Sequence, residues 1–330
     1  MSSPTLKHNA SLKAQPLQSI AEPARKIIDE VERAVVGKRT LLEMLMAAAL
    51  CGGHVLFEDY PGLGKTLIAR SFATALGLGF RRIQFTPDLL PSDITGGYML
   101  NRDKNSFELR PGPIFGNILL ADEINRASPK TQSALLEAMQ EGQVTLEGQS
   151  LPLPNPFLVL ATQNPIEYEG TFPLPEAQLD RFMVKLQVGY PSLQEEREIL
   201  HRRRQRTQDD LILSAVVRPQ DLADMRLEVE SVHVDADLER YIAELVQATR
   251  RDRRVAVGAS PRAGLAFLKL GRAQAALEGR KYVVPDDVKR YATPVLSHRL
   301  ILQPEYWMSQ SVGLEVIRDV LEKTAVPVLS

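Results

Sequence analysis

The chain has 330 residues, 44% hydrophobic and 25% charged, with a formal net charge of -1. That length is enough for two domains, each with its own core, and that charge supplies no global pull toward nucleic acid. Its single cysteine, Cys51, excludes an internal disulfide, and its longest apolar stretch, Met44 to Cys51, is far too short to span a bilayer.

Residues 1–20, rich in Ser, Lys, Gln and Pro, read as disordered. Ala24 to Val35 and Thr40 to Leu50 carry apolar residues at helical spacing and predict two helices. Cys51 follows the second of these and reads as a small buried hydrophobe. The stretch His54 to Thr66 then runs an apolar strand into a glycine turn ending in Gly64-Lys65-Thr66. Turning at Gly62 and Gly64 lets successive backbone N–H groups converge on phosphate oxygens, at the positive end of the helix that begins near Lys65. Lys65 adds a point charge at the β/γ-phosphates, and the Thr66 hydroxyl can ligate Mg²⁺. Asp59 stands where the G-x-x-x-x-G-K-[ST] pattern has its first glycine, and an acid so near triphosphate must point away from it.

Leu67 to Leu76 continues as a helix and Phe80 to Phe85 as a strand, repeating βαβ order. Thr95 to Arg110 reads as a hairpin with the tip Asn101-Arg-Asp-Lys-Asn105, and Gly142 to Leu151 as another that turns near Glu147-Gly148. Between them, Asn117 to Glu123 is an apolar run ending in two acids, a buried parallel strand with carboxylates at its carboxyl end. In a doubly wound sheet ligands bind at that end, so Asp122 can hold the Mg²⁺ water shell while Glu123 polarises an attacking water. Phe157 to Asn164 is a third such strand; Asn164 either orients the lytic water or only makes the turn before Pro165. Arg181 closes a short helix ahead of the strand Phe182 to Val188, where it can reach a neighbour's nucleotide.

From Ser192 the character turns helical: Ser192 to Arg206, Asp235 to Arg251, Ser260 to Leu277, Pro285 to Ser297 and Val312 to Lys323. Val188-Gly-Tyr-Pro191 marks the boundary. Ser260 reads as an N-cap with Pro261 at the first helical position. Arg262 in the first turn is a cation at the wrong end of a helix dipole, which suggests that it faces an anion. The clusters Arg202-Arg-Arg204 and Arg250 to Arg254 read as solvated faces or subunit contacts. His201 and His298 read as solvated or structural, and Trp307 as core or interface.

The ordered set resembles AAA+ ATPases, and Asp122 to Ala127, Ala161 to Pro165 and Leu174 to Phe182 look like the MoxR family; the likeness runs from about Pro23 to about Leu300. It implies a parallel P-loop NTPase α/β sheet with flanking helices over residues 21–190, then a smaller all-α lid over 191–330. It also implies ATP and Mg²⁺ as cofactors. Lys65 and Thr66 match Walker A, Asp122 and Glu123 Walker B, Asn164 sensor 1, Arg181 the arginine finger and Arg262 the sensor 2 arginine, through which nucleotide state would change the lid's angle. Val35-Val36-Gly37 resembles the segment lining adenine, so the implied nucleotide set is Val35, Val36, Gly37, Pro61, Gly62, Leu63, Gly64, Lys65, Thr66, Leu67 and Asp122, with Thr66 and Asp122 on the metal. The two hairpins look like the helix-2 insert and the pre-sensor-1 hairpin. The family implies a hexameric homo-oligomeric ring, chaperone-like in maturation or cofactor insertion of proteins, with a separate von Willebrand A-domain adaptor; the single cysteine and short apolar stretches read as a cytoplasmic protein, and the near-neutral charge with mixed hairpin tips as one that does not act on nucleic acid. Two other readings stay open: a nucleic-acid motor, which the near-neutral charge weakens, and a nucleotide-sensing scaffold with little turnover, which has no need of Glu123 or Arg181.

Overall fold

The computed structural model describes residues 18–165, 170–206, 211–307 and 309–327. Most of the segment expected to be disordered lies outside the described residues, but its last three residues open the first helix. Two helices, α1 (Gln18–Glu32) and α2 (Arg39–Leu50), precede β1 (Val55–Glu58), α3 (Lys65–Ala75) and β2 (Phe80–Gln84). A short α4 (Pro91–Thr95) leads into the hairpin β3 (Gly96–Asn101) and β4 (Ser106–Pro111), then β5 (Ile118–Asp122) and α5 (Pro129–Glu141). The second hairpin, β6 (Gln143–Leu146) and β7 (Gln149–Pro152), is followed by β8 (Leu158–Gln163), α6 (Glu176–Leu179) and β9 (Val184–Leu186). The remainder is α7 (Leu193–Gln205), α8 (Pro219–Val229), α9 (Ala236–Arg251), β10 (Val255–Val257), α10 (Pro261–Leu277), α11 (Pro285–Arg290), α12 (Ala292–Leu296), β11 (Ile301–Leu302) and α13 (Gln310–Lys323).

Five strands form one parallel sheet in the order β2-β5-β8-β1-β9. The non-sequential order puts β8 between β5 and β1, so all three strands read as nucleotide strands end side by side. Strand alternation splits their apolar residues between two layers. Val55, Phe57, Ile118, Leu120, Leu158 and Leu160 face α1, α2 and α3, while Leu56, Leu119, Ala121, Val159 and Ala161 face the side of α5.

Two expectations about the C-terminal part change. It does not have a separate core: the apolar body on the α1–α3 side continues without a break through Leu238, Leu245, Phe267, Leu270 and Val295. Its helices are joined by one short antiparallel pair, β10 with β11. The helix expected over Pro285 to Ser297 breaks at Tyr291, whose φ of -97° and ψ of 5° leave helical geometry while its buried hydroxyl donates to Gln274 Oε1 at 2.8 Å. Helices α5 and α8 were not anticipated; both begin on a proline, Pro129 and Pro219, at the first helical position. Trp307 is 68% exposed, so it is not core. Arg202 pins α7 to the end of α1 through the Glu32 carbonyl at 2.7 Å, and Arg254 pairs with Asp252 and Asp319, so both basic clusters have internal partners.

Two histidines are buried and neutral. Val159 N donates to His54 Nδ1 at 3.0 Å, so Nε2 carries the proton and donates to Met139 O at 3.0 Å; burial pulls its pKa from 6.5 to about 4. His298, with Nε2 3.0 Å from Phe182 O, is held well below the usual value for the same reason. A depressed histidine stabilises the fold fully above its unfolded pKa of 6.5, and this is lost as pH falls toward the folded value, because only the unfolded chain takes up the proton. We expect denaturant-measured stability to fall by about 1.4 kcal/mol per pH unit per histidine below about pH 6.5. A flat profile between pH 6.5 and 5 would contradict this placement.

Candidate functional site

The turn after β1 is built as the glycines require. Gly62 and Gly64 have φ of +85° and +80°, left-handed values that disfavour any residue with a side chain, and a Cβ on either would meet nothing within 4 Å. The glycines are thus needed for the backbone path, and the space in front of the loop stays open. Gly64 caps α3 without a side-chain hydrogen bond, so the N–H groups of Lys65, Thr66 and Leu67 at the helix start are donors of the kind that bind phosphate. Lys65 Nζ lies across the loop, donating to the carbonyls of Asp59 at 2.7 Å and Tyr60 at 2.8 Å. Burial draws its pKa down, and nearby Asp59, Asp122 and Glu123 oppose that shift.

Asp59 points away from the cradle, as expected. Its buried carboxylate accepts from the backbone N–H of Val188 and, at 3.4 Å, of Gly189. The acid that replaces a glycine therefore ties the loop to the chain leaving β9. Lys38 Nζ donates to the carbonyls of Gly189 and Tyr190 at 3.2 and 3.3 Å, and the Tyr60 and Tyr190 rings lie 6.0 Å apart. This brings Val35, Val36 and Gly37 beside the cradle. Gly37, at φ +70°, sits under the α7 N-terminus, where an added Cβ would lie 1.8 Å from Glu195 Oε1.

At the end of β5, Asp122 is buried. Its Oδ1 accepts from Thr162 Oγ1 at 2.6 Å and its Oδ2 from Arg82 Nη2 at 2.7 Å. Thr162 also accepts the Glu123 N–H at 2.8 Å, so one hydroxyl of β8 sets both acids. Glu123 sits at φ +56°, an uncommon conformation for a residue with a side chain and one that concentrates at functional sites. Its Oε2 accepts from Gln84 Nε2 at 2.7 Å and Arg126 Nη1 at 3.0 Å. Asn164, buried, ends β8 between the β5 acids and the cradle. Thr162, Arg82, Gln84 and Arg126 were not singled out from sequence. The signal for two of them was present, since Arg82 and Gln84 alternate with apolar residues in a strand that pairs with β5.

The structure thus brings together Val35, Val36, Gly37, the loop Pro61 to Leu67, Asp122, Glu123 and Asn164 at the carboxyl end of the sheet. It does not bring Arg181 or Arg262 there. These two line a cavity of about 280 Å³ with Gly52, Gly53, Asp180 and Arg299, at the amino end of β1. Six residue steps from Gly53 to Asp59 put that cavity on the order of 20 Å from the chain's own cradle. The lid packs on α1, α2 and β9, which places Arg262 away from its own subunit's cradle. The anion it faces is Asp180, at a loose 3.9 Å.

The residues at the cradle fit a magnesium nucleotide: a hydroxyl and a carboxylate, both hard oxygen donors, beside helix N–H groups. Among the described residues no three His, Cys, Asp or Glu side chains converge to hold a metal, so the rest of an ion's shell would be phosphate and water oxygen. Residues 54–184 match the ATPase family associated with various cellular activities (AAA), and residues 247–324 the AAA lid domain. The chain is 48% identical to the Uncharacterized protein YeaC of Bacillus subtilis, over 92% of this chain and 94% of that one. It is 44% identical to Chaperone MoxR1 of Mycobacterium tuberculosis, over 95% and 85%. A crystal structure of a candidate ATPase from Cytophaga hutchinsonii, 41% identical, superposes with a TM-score of 0.88 over 94% of this chain and 97% of the other. A glycine cradle, paired acids at the end of β5, a C-terminal lid and whole-length likeness to MoxR proteins agree: the chain belongs to the MoxR family of AAA+ ATPases.

Proposed function

We propose that the protein hydrolyses ATP with Mg²⁺ at sites shared between neighbours in a homo-oligomeric ring, taken as hexameric from the family, and turns the cycle into work on a protein partner. The observation that carries this reading is the placement of Arg181 and Arg262 at the sheet end opposite their own cradle, where two arginines have no phosphate to meet within the chain. One copy supplies Lys65, Thr66, Asp122, Glu123 and Asn164; the next supplies Arg181 and Arg262. Lys65 and the α3 N–H groups bind the phosphates, Thr66 and Asp122 hold the ion, and Glu123 takes the proton of the attacking water that Asn164 orients. When bound, an Mg²⁺ held by Thr66 and Asp122 would supply positive charge against that of the triphosphate.

The partner is read as protein, in maturation or cofactor insertion through a separate von Willebrand A-domain chain, with cytoplasmic location. A relative of this chain carries the name chaperone. The hairpin tips also support a protein partner: the β3–β4 tip alternates charges, with Lys104 Nζ paired to Glu108 at 2.8 Å, and the β6–β7 turn carries Glu147 and no base. Tyr98 OH donates to Gln149 Oε1 at 3.0 Å, so the two hairpins form one surface with little net pull on a polyanion. Among the described residues no helix is long and apolar enough to cross a membrane.

Turnover per subunit is expected to rise with protein concentration, to vanish on chelation of Mg²⁺, and to be unmoved by single- or double-stranded DNA at near-physiological salt. Several-fold stimulation by DNA, abolished by charge reversal at Arg102 and Lys104, would instead make the protein a nucleic-acid motor.

A further inference from the structure

Asp180 immediately precedes the arginine read as the finger, and three groups from the C-terminal part of the chain converge on it. Arg299 Nε donates to its Oδ1 at 2.8 Å, Ser260 Oγ donates to its Oδ2 at 2.8 Å, and Arg262 Nη1 lies 3.9 Å from Oδ2. The three contacts differ in kind. Arg299 is buried and saturated: it also donates to the carbonyls of Asp180 at 3.4 Å, Phe182 at 2.6 Å, Met183 at 3.1 Å and Val295 at 2.5 Å. It therefore grips the backbone on both sides of Arg181 and cannot leave. Ser260 is the N-cap of α10, its Oγ accepting the Arg262 N–H at 3.1 Å, so its bond to Asp180 fixes where that helix starts. Arg262 is half exposed and at the outer limit of an ion pair, and its guanidinium's other partner among the described residues is Gln140 Oε1 at 3.4 Å.

We propose that Asp180 is a positioning residue for the shared site: it joins the finger loop of the core to the first turn of α10 in the lid, so that Arg181 and Arg262 meet the neighbour's triphosphate as one preset pair. This rests on the shared-site reading above. The carboxylate does two jobs. Through Arg299 and Ser260 it fixes the spacing of the two elements that carry the arginines. Its charge also keeps Arg262 in the cavity beside Arg181, Arg299 and Lys269, four cations that would otherwise repel. Because Arg262 is held loosely, an incoming polyphosphate of the neighbour takes it from Asp180 without breaking the Arg299 and Ser260 bonds. Preorganised cations cost no rearrangement when charge develops in the transition state.

Asp180→Asn keeps the shape and removes the charge. Its turnover is expected to fall about 10²-fold, the loss that accompanies roughly 1 Å of misplacement, and its thermal midpoint to fall because buried Arg299 loses its counter-charge, while ATP binding to its own cradle stays near wild type. Ser260→Ala should lower turnover in the same direction and Ser260→Thr, which keeps the hydroxyl, should restore it. The decisive measurement mixes Asp180→Asn with Glu123→Gln chains in one ring. The first retains a sound cradle and the second a sound arginine pair, so activity should return as it does for an Arg181→Ala chain in the same mixture. Return for Arg181→Ala without return for Asp180→Asn would overturn the assignment of Asp180 alone, since a merely structural defect is not repaired by a neighbour. No return for either would overturn the shared site itself, and wild-type turnover of Asp180→Asn would also sink the proposal.

Discussion

Glu123→Gln is expected to bind ATP as the parent chain does and to lose turnover by roughly 10² to 10⁴, the contribution of a positioned general base. The change is isosteric. The amide can still accept from Gln84 and Arg126, so the left-handed turn at Glu123 that closes β5 has the same supports. What it cannot do is take a proton from water. Lys65→Ala should fail earlier in the cycle, at binding, because the cradle loop loses its cation while the N–H groups of α3 remain. Binding of a fluorescent nucleotide and single-turnover hydrolysis, measured on both variants, separate the two losses. Wild-type turnover in Glu123→Gln would remove that residue as the base. Binding in Lys65→Ala at parent affinity would mean that the loop N–H groups suffice alone.

The second large effect is at the opposite end of the sheet. Arg181→Ala should cost about 10³ to 10⁵ in turnover, the range for arginine fingers generally, with little change in nucleotide binding by the isolated chain. Equimolar mixing with Glu123→Gln should restore about a quarter of parent activity, since in random heterologous rings that share of interfaces joins an intact Glu123 to an intact Arg181. Arg262→Ala behaves in the same mixture according to where Arg262 acts. In trans, the Glu123→Gln neighbour supplies the missing arginine and activity returns. In cis, both chains carry defective sites and nothing returns. The cavity that Arg262 shares with Arg181 predicts return. Mixed rings confirmed by mass that stay inactive with Arg181→Ala would count against action on a neighbour.

Much of the nucleotide end was legible before any coordinates. Gly62 and Gly64, the apolar run to Asp122 and Glu123, and the strand to Asn164 each announce themselves within a few residues, because turn chemistry and strand alternation are near-neighbour effects. The cap at Ser260 and Pro261 was readable for the same reason, and so was the outward turn of Asp59, which follows from charge alone. The residues that set the two acids were not readable in this way. Thr162 is one apolar-looking strand position among several until β8 is placed beside β5, and only then does its hydroxyl fall between Asp122 and the Glu123 N–H.

The placement of the C-terminal helices was a matter for tertiary structure entirely. From sequence, Arg262 is a cation in a helix's first turn that needs an anion, and its own cradle was the natural candidate. Packing decides otherwise: Phe267, Leu270 and Val295 enter the same apolar body as α1 and α2, which carries α10 to the amino end of the sheet and leaves Arg262 against Asp180. Arg299 meets Asp180 across 119 residues of sequence and Ser260 meets it across 80. The sequence by itself determined the cradle, the acids and the caps, each set by contacts over a few residues. Where Arg181 and Arg262 lie relative to the cradle was decided by how a long-range apolar interface closed, a choice that no local pattern of residues encodes.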